Sequence, residues 1–372
     1  MKILFLNYEF PPLGGGASPI SFEIAQGYAR QKHQVDVITM GFEDLPPFET
    51  REGINIWRIK SIRKKKEICT PPEMLHFVVA ARKFLQKHLQ THQYDVCHCH
   101  FAIPTGILAR FVYQHYKIPY IITSHGSDIP KYNNDRFTFL HLFTKPILKR
   151  VLAQSKGNFA GSNYLANLAN TQLHPPIPYQ VIREGFYAEN ITPAPKEKII
   201  LSSGRLLPRK GFQFLIQALR EEKTAYQIHI CGDGPMMPEL QQLAQNSTTP
   251  VVFHGWLDNA SDTYRQLLSK AAVYVLVSEK ENASKALLEA MSAGCAVITS
   301  NVAGCPETVA DAGITIAPDN TDLLRKTLLD LLNNPQKIAD LGKKARARIV
   351  ENYNWDKLIA SYIAVLEKVK RS

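Results

Sequence analysis

Short apolar runs that read as strands recur along this chain, separated by stretches with helical spacing, and that alternation limits the fold more than any other feature. Residues 3–6, 35–39, 54–59, 96–100 and 120–123 read as strands, and 21–30, 73–89 and 106–116 carry helical periodicity. Further strands are predicted near 158–160 and 180–183. Residues 190–198, with Pro193 and Pro195 among polar neighbours, break the pattern as a linker would. It then restarts with strands at 199–203, 226–231, 251–253, 272–277 and 296–299 and helices at 212–219, 238–244 and 284–293, and helices fill 321–370. Strands that are apolar on both faces and alternate with helices require a parallel sheet covered on both sides. The expected class is α/β: two doubly wound, Rossmann-like domains facing each other across a cleft. In such sheets ligands gather at the carboxyl ends of the strands, so chemistry is sought in the loops that follow them.

Composition narrows the function. With 45% hydrophobic and 21% charged residues the chain is globular rather than disordered. No apolar run approaches a membrane span, and the amino-terminal apolar stretch is too short for a secretion signal, so a cytoplasmic protein is expected. The six cysteines lack CxxC or metal-finger spacing and read as buried reduced thiols. The net charge of +11 is uneven: residues 1–190 hold 22 basic against 14 acidic side chains, and 58–66 alone holds Arg58, Lys60, Arg63, Lys64, Lys65 and Lys66. That field favours phosphate-bearing partners. Nucleic acid is disfavoured, because no RNA-binding signature or zinc module is visible and stacking aromatics do not interleave the basic residues.

The loops carry the rest. After the first predicted strand, Gly14, Gly15 and Gly16 precede a helix but are too far from the strand for a dinucleotide fingerprint, which argues against nicotinamide and flavin chemistry; they permit close backbone approach to an anion. After residues 120–123 come His125, Gly126 and Asp128, able to bond hydroxyls or to act as an acid–base pair. His98 and His100 resemble a metal pair only superficially and read as structural or cleft-lining. In the second half, Arg205 and Lys210 flank a proline-containing turn and suit a diphosphate. His254, Gly255, Trp256 and Leu257 follow a strand and can present backbone groups to a base. Glu281 precedes a helix and Glu289 lies in its second turn, while the amides of Ala283, Ser284 and Lys285 sit at the helix start, where a phosphate is attracted. Carboxylates beside such an anion suit vicinal hydroxyls.

Together these residues resemble the retaining glycosyltransferases of family 4, which have the GT-B fold. The likeness runs over nearly the whole chain: the glycine loop, His125–Asp128, the Gly204–Gly211 turn, Gly232-Asp-Gly-Pro, Glu281-x7-Glu289 with its continuation Leu-Glu-Ala-Met-Ser-Ala-Gly, and 302–307. It implies a hexosyltransferase using a UDP- or GDP-linked sugar donor and a hydroxyl acceptor, a glycan or lipid-linked glycan. It implies residues 1–190 as the acceptor-side domain, with 352–372 packing back on it, and 191–351 as the donor domain. Arg205 and Lys210 would bind the diphosphate, Glu289 the ribose, Glu281 the sugar hydroxyls, and Gly15 and Gly16 the phosphates from the first domain. His125 would stand over the transferring sugar. No DxD pair is present, so no metal and no resident cofactor are expected. Two departures stand out: Ala17-Ser18-Pro19 follows the glycines where Glu or Arg is common, and Asn282-Ala283-Ser284 replaces the frequent Gly-Phe-Gly, with Ser284 offering a helix cap. The basic run 58–66 is expected to dock on an anionic membrane. The alternatives are a GT-B epimerase or hydrolase, and a non-catalytic sugar-nucleotide binder, which the intact charged set disfavours.

Overall fold

A computed structural model of the chain describes residues 1–132, 138–281 and 284–371, with backbone alone for 138–143. The chain forms two units, Met1–Gly185 together with Trp355–Ser372, and Phe186–Asn354.

The first unit runs β1 (Lys2–Leu6), α1 (Ala17–Arg30), β2 (Gln34–Met40), β3 (Phe48–Arg51), β4 (Ile54–Ile59), α2 (Pro71–His88), β5 (Val96–His100), α3 (Thr105–Tyr116), β6 (Tyr120–Ser124), α4 (Thr138–Gln154), β7 (Asn158–Ala160), α5 (Asn163–Gln172) and β8 (Gln180–Val181). Its sheet order is β3-β4-β2-β1-β5-β6-β7-β8, parallel except for the β3–β4 hairpin. Strand β3 was not expected. Its hairpin turns through Glu52 and Gly53, both at positive φ (52° and 77°), which matches the twist of the flanking strands. Leu4, Leu6, Cys97, Cys99 and Ile122 are wholly buried, as residues of central parallel strands must be.

The second unit repeats the plan with β9 (Glu197–Ser203), α6 (Phe212–Leu219), β10 (Gln227–Cys231), α7 (Met237–Ala244), β11 (Val251–Phe253), α8 (Asp262–Lys270), β12 (Ala271–Leu276), α9 (Lys285–Ser292), β13 (Ala296–Ser300), α10 (Cys305–Val309), β14 (Gly313–Ile316), α11 (Thr321–Leu332) and α12 (Pro335–Asn352). Its all-parallel order is β11-β10-β9-β12-β13-β14. Counted along the chain this is 3-2-1-4-5-6, with the reversal between β9 and β12. That reversal is where a doubly wound sheet opens a crevice for ligand. In the first unit the same reversal falls between β1 and β5.

The units divide at Gly185–Phe186, not at 190–191 as the prolines suggested. The reason is packing: Ala188 and Ile191 are buried in the core of the second unit, and the Phe186 amide donates to the Tyr353 carbonyl at 2.6 Å. The chain then returns to the first unit as α13 (Trp355–Lys370). Tyr362 of α13 is buried 3.3 Å from the Thr123 hydroxyl, and Lys370 pairs with Asp95 at 3.1 Å. Among the described residues no helix is long and apolar enough to cross a membrane.

Candidate functional site

In the second unit the reversal brings two loops side by side. The loop after β9 carries Arg205 and then a 3-10 turn at Pro208–Lys210, and the loop after β12 carries Glu281. The Arg209 carbonyl accepts from the Glu279 amide (2.9 Å) and the Ser278 hydroxyl (3.0 Å), which fastens one loop to the other. The Gly304 amide, from the loop after β13, donates to the Glu281 carbonyl at 2.8 Å. Held in this way, the Lys210 ammonium pairs directly with the Glu281 carboxylate. Their side chains are only 18% and 13% exposed, so solvent screens the pair far less than a surface ion pair.

The loops after β9, β10 and β11 line a pocket of about 360 Å³, with Arg205, Gly232, Trp256, Asn259 and Tyr264 among its walls. Arg205 is exposed and makes no ion pair among the described residues. The floor needs glycine: Gly232 has φ +144°, and a Cβ there would collide with the Gly204 carbonyl oxygen. The Gly232 amide in turn donates to the Gly255 carbonyl at 2.7 Å, knitting the loops after β10 and β11 together.

Glu289 lies in α9, buried to 4%. Asn259 Nδ2 donates to both carboxylate oxygens at 2.9 and 3.0 Å, Tyr264 Oη donates at 3.2 Å, and Lys285 Nζ stands 3.6 Å away. Burial pushes the Glu289 carboxyl upward in pKa while Lys285, Asn259 and Tyr264 oppose the rise. The sequence reading of the loop after β11 stopped at Leu257, two residues short of Asn259. The signal was its place at a strand's carboxyl end, just before the Ser261 cap that starts α8.

Ser284 sits at the N-cap of α9, but its side chain makes no capping bond. The expected cap therefore acts through backbone geometry only. Ala283, with Asn282, lies outside the described residues.

The first unit carries the other expected residues. Gly14 has φ +99° and folds against the Glu9 side chain; Gly15 and Gly16 face open space, and Gly16 starts α1. The Gly15 amide lies 3.5 Å from Glu9 Oε2, so a carboxylate of the chain itself stands where phosphate was expected. His125 is half-buried, its Nε2 2.8 Å from His100 Nδ1, and burial pushes its pKa down to about 4.

Asp128 requires a correction. It is 2% exposed, and its carboxylate accepts from the amides of Ala102 (2.8 Å), His125 (3.1 Å) and Gly126 (3.1 Å). It holds the loop and does not pair with the His125 imidazole, so neither the acid–base pair nor a direct ligand contact survives for it. His98 and His100 are not a metal pair: His98 bonds Tyr28 and Thr123, each at 2.9 Å, and His100 bonds His125. Among the described residues no three His, Cys, Asp or Glu side chains cluster to hold a metal ion.

The basic run is also divided. Arg58 is buried and bonded to Glu49 at 2.5 Å, tying β3 to β4. Arg63 is buried and donates to the carbonyls of Lys65 (2.8 Å) and Lys66 (2.6 Å). Lys60, Lys64, Lys65 and Lys66 remain exposed.

Comparison with known proteins agrees with the fold. Residues 14–190 match the family description "Glycosyltransferase Family 4" and residues 186–348 match "Glycosyl transferases group 1". The chain is 25% identical to the N-acetyl-alpha-D-glucosaminyl L-malate synthase of Bacillus anthracis over 97% of this chain and 96% of the relative. Among solved structures, sucrose-phosphate synthase from Thermosynechococcus elongatus superposes with a TM-score of 0.80 at 18% identity, covering 99% of this chain and 98% of that one. Anabaena HepE in complex with UDP gives 0.75 at 18% identity, covering 99% and 100%. The fold is GT-B, and with both halves matched the chain belongs to the group 1, family 4 glycosyltransferases, enzymes of sugar transfer.

Proposed function

We propose that this glycosyltransferase moves a hexose-type sugar from a UDP- or GDP-linked donor to a hydroxyl of a glycan or lipid-linked acceptor, with retention of anomeric configuration and without a metal. The observation that carries this reading is the second unit's cluster of loops: a pocket lined by Arg205, Asn259 and Tyr264, the last two bonded to the buried Glu289, and the Lys210–Glu281 pair on the loops after β9 and β12. Glu289 accepts from the ribose diol. Trp256 and Leu257 border the space for the base. Arg205 and Lys210 take the diphosphate, and Glu281, giving up part of its bond to Lys210, accepts from sugar hydroxyls. In the transfer the bond from the anomeric carbon to the phosphate oxygen breaks as the acceptor oxygen bonds the same face. The acceptor proton passes to the departing phosphate. Preorganised cations stabilise the charge on the leaving nucleotide, and no side chain need act as a covalent nucleophile. In the first unit, His125 is the group proposed for the transferring sugar, and Gly15 and Gly16 are those proposed for phosphate, with Glu9 now at the Gly15 amide. A thermal-shift screen with UDP, GDP and ADP, followed by product analysis with the matching nucleotide sugars, tests the reading. Stabilisation by none of the three nucleotides would overturn it, and turnover of donor to an epimer without acceptor would assign an epimerase instead.

We further propose that the enzyme is cytoplasmic and touches an anionic membrane through the remaining lysines. Six free, buried cysteines fit a reducing compartment. Glu73 accepts from the amides of Lys64 (3.0 Å) and Thr70 (2.7 Å), which pins the basic loop to the start of α2. Exposed Ile68, Leu75 and Val79 lie in the same loop and helix. Each lysine near such a surface contributes about 1 kcal/mol. Co-sedimentation with phosphatidylglycerol vesicles should fall when Lys64, Lys65 and Lys66 are changed to Ala, and equal binding by the triple variant would refute the contact.

A further inference from the structure

β5 ends in Val96-Cys-His-Cys-His100, and its two histidines project from the same face of the sheet. They are satisfied differently. Both nitrogens of His98 are bonded, to Tyr28 Oη and Thr123 Oγ1. His100 bonds only through Nδ1, to His125 Nε2 at 2.8 Å, and its buried Nε2 has no partner. Phe5 stacks on the His100 ring at 4.6 Å between centroids. The other nitrogen of His125, Nδ1, has no partner among the described residues.

Two neutral imidazoles joined by one hydrogen bond share a single bridging proton, and it has two possible owners. If His125 Nε2 carried it, His100 would keep its own proton on Nε2, an N–H buried without an acceptor. Orphaned buried N–H groups are rare because their lost hydration is not recovered. If His100 Nδ1 carries it, Nε2 is a bare lone pair and no donor is orphaned. The second arrangement also leaves His125 protonated on Nδ1, since the bond made by one ring nitrogen decides the state of the other.

We infer that His100 is a positioning residue: its Nδ1–H donates to His125 Nε2 and fixes His125 as the Nδ1–H tautomer, with a donor ready for a hydroxyl or ring oxygen of the bound sugar. The sugar contact rests on the reading of His125 given above, whereas the tautomer does not.

Long-range proton–nitrogen correlation spectra of histidine-labelled protein at pH 7.5 read the tautomer directly, with His125 assigned by its disappearance in His125→Ala. The expected pattern is protonated Nδ1 and bare Nε2; the reverse pattern in the wild type would overturn the inference without any variant of His100. Two substitutions then separate positioning from packing. His100→Asn keeps an amide donor close to the Nδ1 position, and His100→Phe keeps a ring without one. The rate of nucleoside diphosphate release from UDP-glucose or GDP-mannose should fall roughly tenfold in His100→Phe, the worth of about one hydrogen bond at the barrier, with UDP or GDP affinity unchanged. His100→Asn should recover most of that loss. An unchanged rate in a folded His100→Phe, or no recovery in a folded His100→Asn, would sink the positioning role. Wild-type turnover in His125→Ala would instead remove the sugar contact while the spectrum still decided the tautomer.

Discussion

The two units share a doubly wound plan with one reversal each, and their reversal points hold opposite kinds of chemistry. In the second unit the loops after β9 and β12 meet as Lys210 against Glu281, and the loop after β9 also carries the exposed Arg205. In the first, the residues around β1, β5 and β6 are the buried His98 and His100, the half-buried His125, all held neutral, and a carboxylate spent on backbone amides. The same scaffold therefore carries a charged cluster of loops in one unit and a set of neutral, hydrogen-bonded rings in the other. Topology decides where a site forms, and the loop residues decide what it binds.

The sharpest way to break this comparison is to remove charge where it matters. Lys210→Ala should lower nucleoside diphosphate release by roughly 10²–10³-fold, the usual worth of one preorganised electrostatic group, in a protein that still folds but melts lower because Glu281 loses its partner. Near-normal turnover would show that the second unit's charged cluster is not the reaction centre. Glu289→Gln should weaken UDP or GDP binding about tenfold by calorimetry, because a charged acceptor for the ribose is lost. Tyr264→Phe, which keeps the ring at the pocket wall and removes one hydroxyl from Glu289 and Ser203, should weaken it by a smaller factor. Equal effects from both would mean that Glu289 acts through packing alone.

Acid should separate the units. His98 is pushed down to about 3 and His125 to about 4, both below the ordinary value of 6.5. The unfolded chain therefore takes up protons below pH 6.5 that the folded first unit refuses. The stability these rings support is present above that pH and is lost as pH falls through 6.5 toward 4. Hydrogen exchange at pH 7.5 and pH 5 should show amides of β5 and β6 losing more protection than those of β9 and β12; an equal loss would contradict the neutral-histidine account. The smallest contrast lies within the basic run. Arg58→Ala should destabilise by about 1–3 kcal/mol, since it strands buried partners, and Lys65→Ala should leave the melting temperature unchanged. Denaturant unfolding of the two variants checks this.

Much of this architecture was legible because parallel strands buried on both faces must be apolar, and because ligands sit after strands in such sheets. Arg205, Lys210 and Glu281 fell in those loops, and Glu289 in the helix that follows one of them. Other features were hidden for particular reasons. β3 is a short, largely exposed edge strand, marked only by the Glu52-Gly53 turn. α4 contains Pro146, which reads as a breaker. Asp128 looked like a ligand because its partner amide, Ala102, is 26 residues away and sequence spacing does not show it. Arg58 and Arg63 looked like their lysine neighbours because a charge run does not reveal which members turn inward. Arginine is the residue suited to turning, with a planar fork that can satisfy several acceptors at once.

The return of α13 to the first unit bears on how the molecule is made. Gly27 of α1 lies against Ile359, and Tyr362 sits beneath Thr123. The second unit is one continuous stretch of chain, complete by Asn354. During synthesis it can fold while the first unit, begun earlier, still lacks its last helix. The half translated first is therefore the half finished last, and until α13 emerges its α1 face exposes apolar surface that a chaperone would recognise.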